Sequence, residues 1–179
     1  RSRRRKGSHY ARITLIHLVM KFLVDCPMDP FLILVLFVLS FDEKRYFMNF
    51  YVMTLFPEQF QAVLQSSIMK RAIEAGHIHV ELIDIRQFSG NKHNRVDDYT
   101  YGGGAGMLMA APPVYRCYEY ILETYQLTNP RVVYLTPQGR LFKQEVSEEL
   151  SKEGDIILLC GHYEGIDERV LQRIVTDYI

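Results

Sequence analysis

A chain of 179 residues with 48% apolar and 23% charged residues can bury a real core, which excludes a disordered, collagen-like or mucin-like polymer. Its cysteines, Cys26, Cys117 and Cys160, lie far apart with no Cys-x-x-Cys pair, arguing against a disulfide scaffold or zinc ribbon and for a reducing, cytoplasmic compartment. The net charge of zero is a cancellation: residues 1–47 hold nine Lys/Arg against four Asp/Glu, and residues 48–179 hold twelve against seventeen.

Residues 1–47 open on Arg1-Ser2-Arg3-Arg4-Arg5-Lys6 and later carry an apolar run from Phe31 to Leu39. That run is well short of the roughly 20 residues a membrane-spanning helix needs. A basic start before an apolar run is the pattern of an export signal, but Asp25 and Asp29 intervene and no small-residue cleavage site follows. The favoured expectation is a leader outside the working protein, arising from a misassigned start or upstream read-through, with the domain proper beginning at Met48. An extra helix and an export signal are the alternatives. The basic hexapeptide by itself is expected to be a solvated tail.

From Met48 the elements alternate. Asn49 to Phe56 is rich in β-formers and stops at Pro57, predicting a buried strand. Pro57-Glu58 then opens a helix with Phe60, Val63, Leu64, Ile68, Ala72 and Ile73 on one face, closed at Ala75-Gly76. A second strand is expected over 78–85, a helix over 112–125 and a strand over 131–135. A helix over 142–151 and a strand over 156–160 complete the pattern. This alternation predicts an α/β fold, a mostly parallel sheet with helices on both faces.

In such sheets ligands gather beyond the carboxyl ends of the strands. Two of those ends are rich in turn residues: Thr136-Pro137-Gln138-Gly139-Arg140, and Gly161-His162-Tyr163-Glu164-Gly165-Ile166-Asp167-Glu168-Arg169. Glycines there allow close backbone approach to a flat ligand, and Glu164 or Asp167 is placed to hold ribose hydroxyls or offset a positive charge. The plainer alternative is that the glycines only turn the chain while Asp167 caps the next helix. Between 84 and 107 lies a long segment read as loop, with Gly102, Gly103, Gly104 and Gly106 crowded together after Lys92, His93, Arg95, Tyr99 and Tyr101. It lacks the Gly-Lys-Ser/Thr of a phosphate loop and follows no evident strand, so neither nucleotide fingerprint applies. An anion-binding nest, a base-stacking surface and a flexible linker all remain open for it.

Six stretches carry a resemblance in their order and spacing: Thr54-Leu55-Phe56-Pro57-Glu58-Gln59-Phe60; Asp84-Ile85-Arg86; Lys92-His93 with Val96-Asp97-Asp98; Tyr101-Gly102-Gly103-Gly104-Ala105-Gly106-Met107; Leu135-Thr136-Pro137-Gln138-Gly139-Arg140; and Cys160 to Arg169. Together they resemble the bacterial tRNA (guanine-N1)-methyltransferases of the SPOUT class across residues 48–179. The resemblance implies S-adenosyl-L-methionine as methyl donor, N1 of guanine 37 in tRNA as acceptor and a homodimer with shared active sites, with no membrane association. Because the methyl of a sulfonium is already activated, no metal ion is needed to polarise it. The resemblance also implies a deep trefoil knot, expected to be incomplete within residues 1–179.

Carried over by position, Tyr134, Leu135, Thr136, Pro137 and Gln138 form one wall of the cofactor site, and Gly161, Tyr163 and Glu164 another. His93, Asp98, Gly102, Gly103 and Gly104 face the target guanine. Thr136 stands where many relatives have Ser, and His162 where some have Arg. The resemblance puts the catalytic Asp, an assisting Arg and a helical tRNA-gripping domain after Ile179, so no catalytic residue is assigned and the chain alone is expected to be inactive. Two other functions are weighed: a non-catalytic RNA- or nucleotide-binding fragment, and a different nucleotide-using α/β enzyme.

Overall fold

The computed structural model describes residues 48–101 and 103–179. The head over 1–47 and Gly102 therefore lie outside the described residues. Strands and helices alternate as β1 (Met48–Thr54), α1 (Pro57–Leu64), α2 (Ser67–Glu74), β2 (Ile78–Asp84), β3 (Asp97–Tyr99), β4 (Met107–Met109), α3 (Ala111–Tyr125), β5 (Arg131–Leu135), α4 (Gln144–Leu150), β6 (Asp155–Cys160), α5 (Glu168–Ile174) and β7 (Asp177–Tyr178). A 3₁₀ turn, Ile85–Phe88, follows β2 and is capped by the Asp84 carboxylate, which accepts from the Arg86 N–H at 2.8 Å.

Five strands form one sheet in the order β2-β1-β6-β5-β7. β5 pairs in parallel with β6, Arg131 opposite Ile156 through Leu135 opposite Cys160, and in parallel with β7 at Val133–Asp177 and Tyr134–Tyr178. β1 and β6 are buried along almost their whole length, as apolar runs without alternation should be when both faces are covered. Mostly parallel strands with interleaved helices bear out the expected α/β class.

The chain divides into two compact units. One comprises Phe50–Gln59, Val80–Gly139 and Asp155–Ile179. Its core gathers Met53, Leu55, Ile85, Met109, Val114, Cys117, Ile121, Val132, Ile157, Leu159, Val170 and Ile174 around the strands. Helix α3 buries Pro113, Val114, Cys117 and Ile121 on one stripe; its prolines sit in the first turn, where no N–H is needed, and Gln126 ends it at φ 54°. The other unit holds 48–49, Phe60–His79 and Arg140–Gly154 among the described residues. There α2 buries Met69 and Ala72, α4 buries Val146, Ser147 and Leu150, and Arg140 pairs with Glu149 at 3.2 Å.

The structure changes four expectations. The helix predicted from Pro57 to Ala75 is two helices. The Ser66 hydroxyl donates to the Val63 carbonyl at 2.8 Å and Ser67 turns to φ 43°, so local side-chain bonding competes with helix propagation. The break leaves Ile68 and Ile73 half-buried and sinks Met69 instead. Helix α4 covers 144–150, shorter at both ends than 142–151. The segment read as loop holds an antiparallel hairpin, with Asp97 opposite Met109 and Tyr99 opposite Met107. The glycines thus follow a short strand after all, too short for a pattern of alternation to reveal. The last strand, β7, is two residues long and equally invisible to periodicity. No helix among the described residues is long and apolar enough to cross a membrane.

Candidate functional site

The carboxyl ends of β5 and β6 point the same way because the strands are parallel and in register, so the segments that follow them emerge side by side. After β5 the chain makes a tight turn: the Gly139 N–H donates to the Thr136 carbonyl at 3.0 Å and the Gln138 N–H to the Thr136 hydroxyl at 3.4 Å. The chain beyond β7 lies in the lap of this turn. Ile179 donates to the Tyr134 carbonyl at 3.0 Å and accepts from the Thr136 N–H at 2.7 Å. A Cβ on Gly139 would stand only 2.5–2.6 Å from the Ile179 backbone, so a residue without a side chain is required.

Tyr134, only 8% exposed, stacks edge-on against Tyr178 at 5.9 Å between ring centroids. Burial pushes its phenol up from the ordinary tyrosine range. Gly161, the first residue after β6, sits against the same ring: a Cβ there would lie 3.0 Å from Cε2 and 3.1 Å from the hydroxyl. Tyr134 and Gly161 are therefore neighbours: the Tyr134 ring fills the space a side chain at position 161 would take, and Gly161 itself stays exposed. Leu135 and Thr136 are half-buried, and Pro137 and Gln138 are exposed.

The chain from Gly161 to Asp167 is stitched to the glycine hairpin. The Glu164 N–H donates to the Met107 carbonyl at 3.1 Å, the Met109 N–H to the Gly165 carbonyl at 2.9 Å, and the Asp167 N–H to the Met109 carbonyl at 3.0 Å. Gly106, at φ 102°, packs so closely on Glu164 that a Cβ would overlap its side chain and meet a carboxylate oxygen at 3.0 Å. Tyr163 takes φ 60°, an uncommon backbone state for a residue with a side chain. His162 rests its ring against Tyr163 at 4.7 Å and Phe56 at 5.0 Å, and the Arg86 guanidinium lies 5.6 Å over Phe56.

Asp167 is 5% exposed and caps α5 by accepting from the Arg169 N–H at 3.0 Å. Arg169 grips both its oxygens, Nε at 3.0 and 3.2 Å and Nη2 at 2.6 Å, and the Tyr101 hydroxyl donates to Oδ2 at 3.3 Å. The Arg169 side-chain bonds hold the Asp167 carboxyl below the usual carboxylate range, against the opposing effect of burial. Of the two readings open for Asp167, capping is the one observed, and its oxygens are committed within the protein. Glu164, exposed, is left as the acidic side chain of this loop.

The residues expected on the guanine side are placed differently. His93 is exposed on a turn organised by Asn91, whose Oδ1 accepts from the His93 and Arg95 N–H groups at 3.1 and 2.9 Å. Asp98, also exposed, accepts from the Tyr99 N–H at 2.8 Å. Gly103 and Gly104 are exposed, and the Thr100 hydroxyl donates to the Gly104 carbonyl at 2.6 Å. Among the described residues, neither His93 nor Asp98 bonds to Tyr134, Gly161 or Glu164. Sequence reasoning missed Tyr101 and Arg169 as partners, since 68 residues separate them and only the fold brings them together. Among the described residues no group of His, Cys, Asp and Glu is arranged to hold a metal ion.

Comparison with known proteins adds a second line of evidence. The model of the family tRNA (Guanine-1)-methyltransferase TrmD matches residues 48–179. A tRNA (guanine-N(1)-)-methyltransferase of Clostridioides difficile is 54% identical over 132 residues, covering 74% of this chain and 57% of its own length. Its counterpart from Lachnoclostridium phytofermentans is 48% identical over 157 residues, with the same coverage. The crystal structure of tRNA (m1G37) methyltransferase from Aquifex aeolicus superposes with a TM-score of 0.67 at 39% identity, covering 74% of this chain and 58% of that one. The chain thus spans a little over half the length of the relatives it matches. With the family match, these identities and the shared fold all falling on the part that carries the turn after β5, the Gly161–Asp167 loop and the glycine hairpin, the chain belongs to the tRNA (guanine-1)-methyltransferase TrmD family.

Proposed function

We propose that this chain contributes to S-adenosyl-L-methionine-dependent methylation of N1 of guanine 37 in tRNA, in the cytoplasm, as a homodimer whose active sites are shared. The observation that carries the reading is the close contact of Gly161 with Tyr134. Gly161 lies on the buried Tyr134 ring, at the mouth of two parallel strands, with exposed Glu164 three residues further on. The residues fit an adenosyl group. A flat base can approach the exposed Gly161 backbone beside the Tyr134 ring, and Thr136 and Gln138 supply polar atoms at the rim.

When bound, the donor supplies a methyl group already activated on a sulfonium. Tyr134, Leu135, Thr136, Pro137 and Gln138 form one side of its site, and Gly161 and Tyr163 the other. The Glu164 carboxylate offsets the positive charge of the sulfonium. His93, Asp98, Gly102, Gly103 and Gly104 belong to the RNA side. Guanine N1 carries a proton that must leave before its lone pair attacks, so the reaction needs a base near N1 and a donor near O6. No described residue is assigned either task.

Isothermal calorimetry of the 179-residue chain with S-adenosylmethionine tests the reading. Binding is expected for the natural sequence and at least about tenfold weaker in Gly161→Ala, whose methyl group displaces the Tyr134 ring. Binding of ATP or NAD in place of S-adenosylmethionine would transfer the chain to another class of nucleotide enzyme. A salt-dependent tRNA complex with no donor binding would make it an RNA-binding fragment.

A further inference from the structure

Tyr101 lies 71% exposed at the edge of the glycine hairpin, yet its hydroxyl is fixed from two sides. It donates to Asp167 at 3.3 Å and accepts from Arg169 Nη2, while the Arg169 guanidinium lies 5.3 Å over the ring. Asp167 is itself immobilised as the buried cap of α5. Tyr101 stands two residues past Tyr99, the end of β3, and Tyr99 is paired with Met107. The Met107 carbonyl holds the Glu164 N–H, and neighbouring Gly106 packs on the Glu164 side chain. The loop end of the hairpin is therefore fastened to α5 on the β3 side through Tyr101, and on the β4 side it is what Glu164 leans on.

We propose that Tyr101 is a positioning residue for Glu164, acting through the Tyr99–Met107 pair, with Asp167 and Arg169 as its anchor. A surface tyrosine that merely decorated Arg169 would make one contact, whereas this one makes three, to two residues that themselves form the cap of a helix. The role of Glu164 at a donor site rests on the function proposed above. The fastening of the hairpin does not.

Two measurements on the full chain separate these. In Tyr101→Phe, which keeps the ring over Arg169 and loses the hydroxyl, amide hydrogen exchange at Glu164 is expected to quicken about tenfold, with exchange in β6 unchanged. Exchange at Glu164 equal to that of the natural sequence would overturn the proposal whatever the chain binds. Calorimetry with S-adenosylmethionine then forms a double-mutant cycle. Tyr101→Phe is expected to weaken donor binding about fivefold beside Glu164 and less than twofold in a Glu164→Gln background. Equal losses in both backgrounds would show that Tyr101 does not act through Glu164. Absence of donor binding by the natural chain would refute the functional reading and leave the exchange result to decide the positioning role.

Discussion

Asp167 shows how one residue type can satisfy a local rule and a long-range one together. As a helix cap it needs only its own neighbours, and the run Asp167-Glu168-Arg169 already announces a helix start. Its burial is tolerable because Arg169 supplies a forked, charge-assisted partner and Tyr101 another donor. Replacing Asp167 by Ala is expected to cost about 1–2 kcal/mol at neutral pH, by urea unfolding, through loss of the cap and its charge-assisted bonds. The pH dependence has a definite sign. The folded carboxyl titrates below its unfolded value, so its contribution is complete above the ordinary carboxylate range and fades as pH falls through the depressed folded value. The gap between the natural chain and Asp167→Ala should accordingly narrow in acid unfolding series.

At the scale of elements, the site depends on how β7 is brought alongside β5. Two residues of strand cannot hold a parallel pairing unaided, and side chains reinforce it. Arg131 forks onto Asp177 at 2.6 and 2.8 Å, and the Thr176 hydroxyl both accepts from the Val132 N–H and donates to its carbonyl. This places Ile179 in the turn after β5, against Gly139. Gly139→Ala is expected to destabilise the chain by about 1–3 kcal/mol, because the atoms it meets are backbone and cannot rotate away. Gly154→Ala serves as the control, since nothing lies within 4 Å of its added methyl group, and its urea midpoint should barely move.

For the whole molecule, the charge split matters more than the total. The family match covers the segment with twelve Lys/Arg and seventeen Asp/Glu, a poor composition for gripping RNA phosphates without help. The shared active site of the proposed function needs a second copy of the chain, which oligomeric state tests directly. Sedimentation equilibrium of the 21.0 kDa chain is expected to report twice that mass; a monomer at micromolar concentration would count against shared sites.

Much of the fold was legible in the residues themselves. β-branched and aliphatic runs marked β1, β2, β5 and β6 to within a residue or two, and the proline-opened pattern marked α3. The alternation of strands with helices implied a parallel sheet, and that in turn implied where a ligand would sit. The motifs at the strand ends by themselves point to the family. The sequence by itself could not say that Gly161 faces Tyr134, that Gly106 faces Glu164, or that Tyr101 reaches Asp167 across 66 residues. It also could not show that Ser67 breaks a helix, nor that β3, β4 and β7, at two or three residues each, exist at all. Periodicity needs length, and these elements are too short to have any. Their conformations are set by partners distant in the chain, so only the tertiary structure decided them.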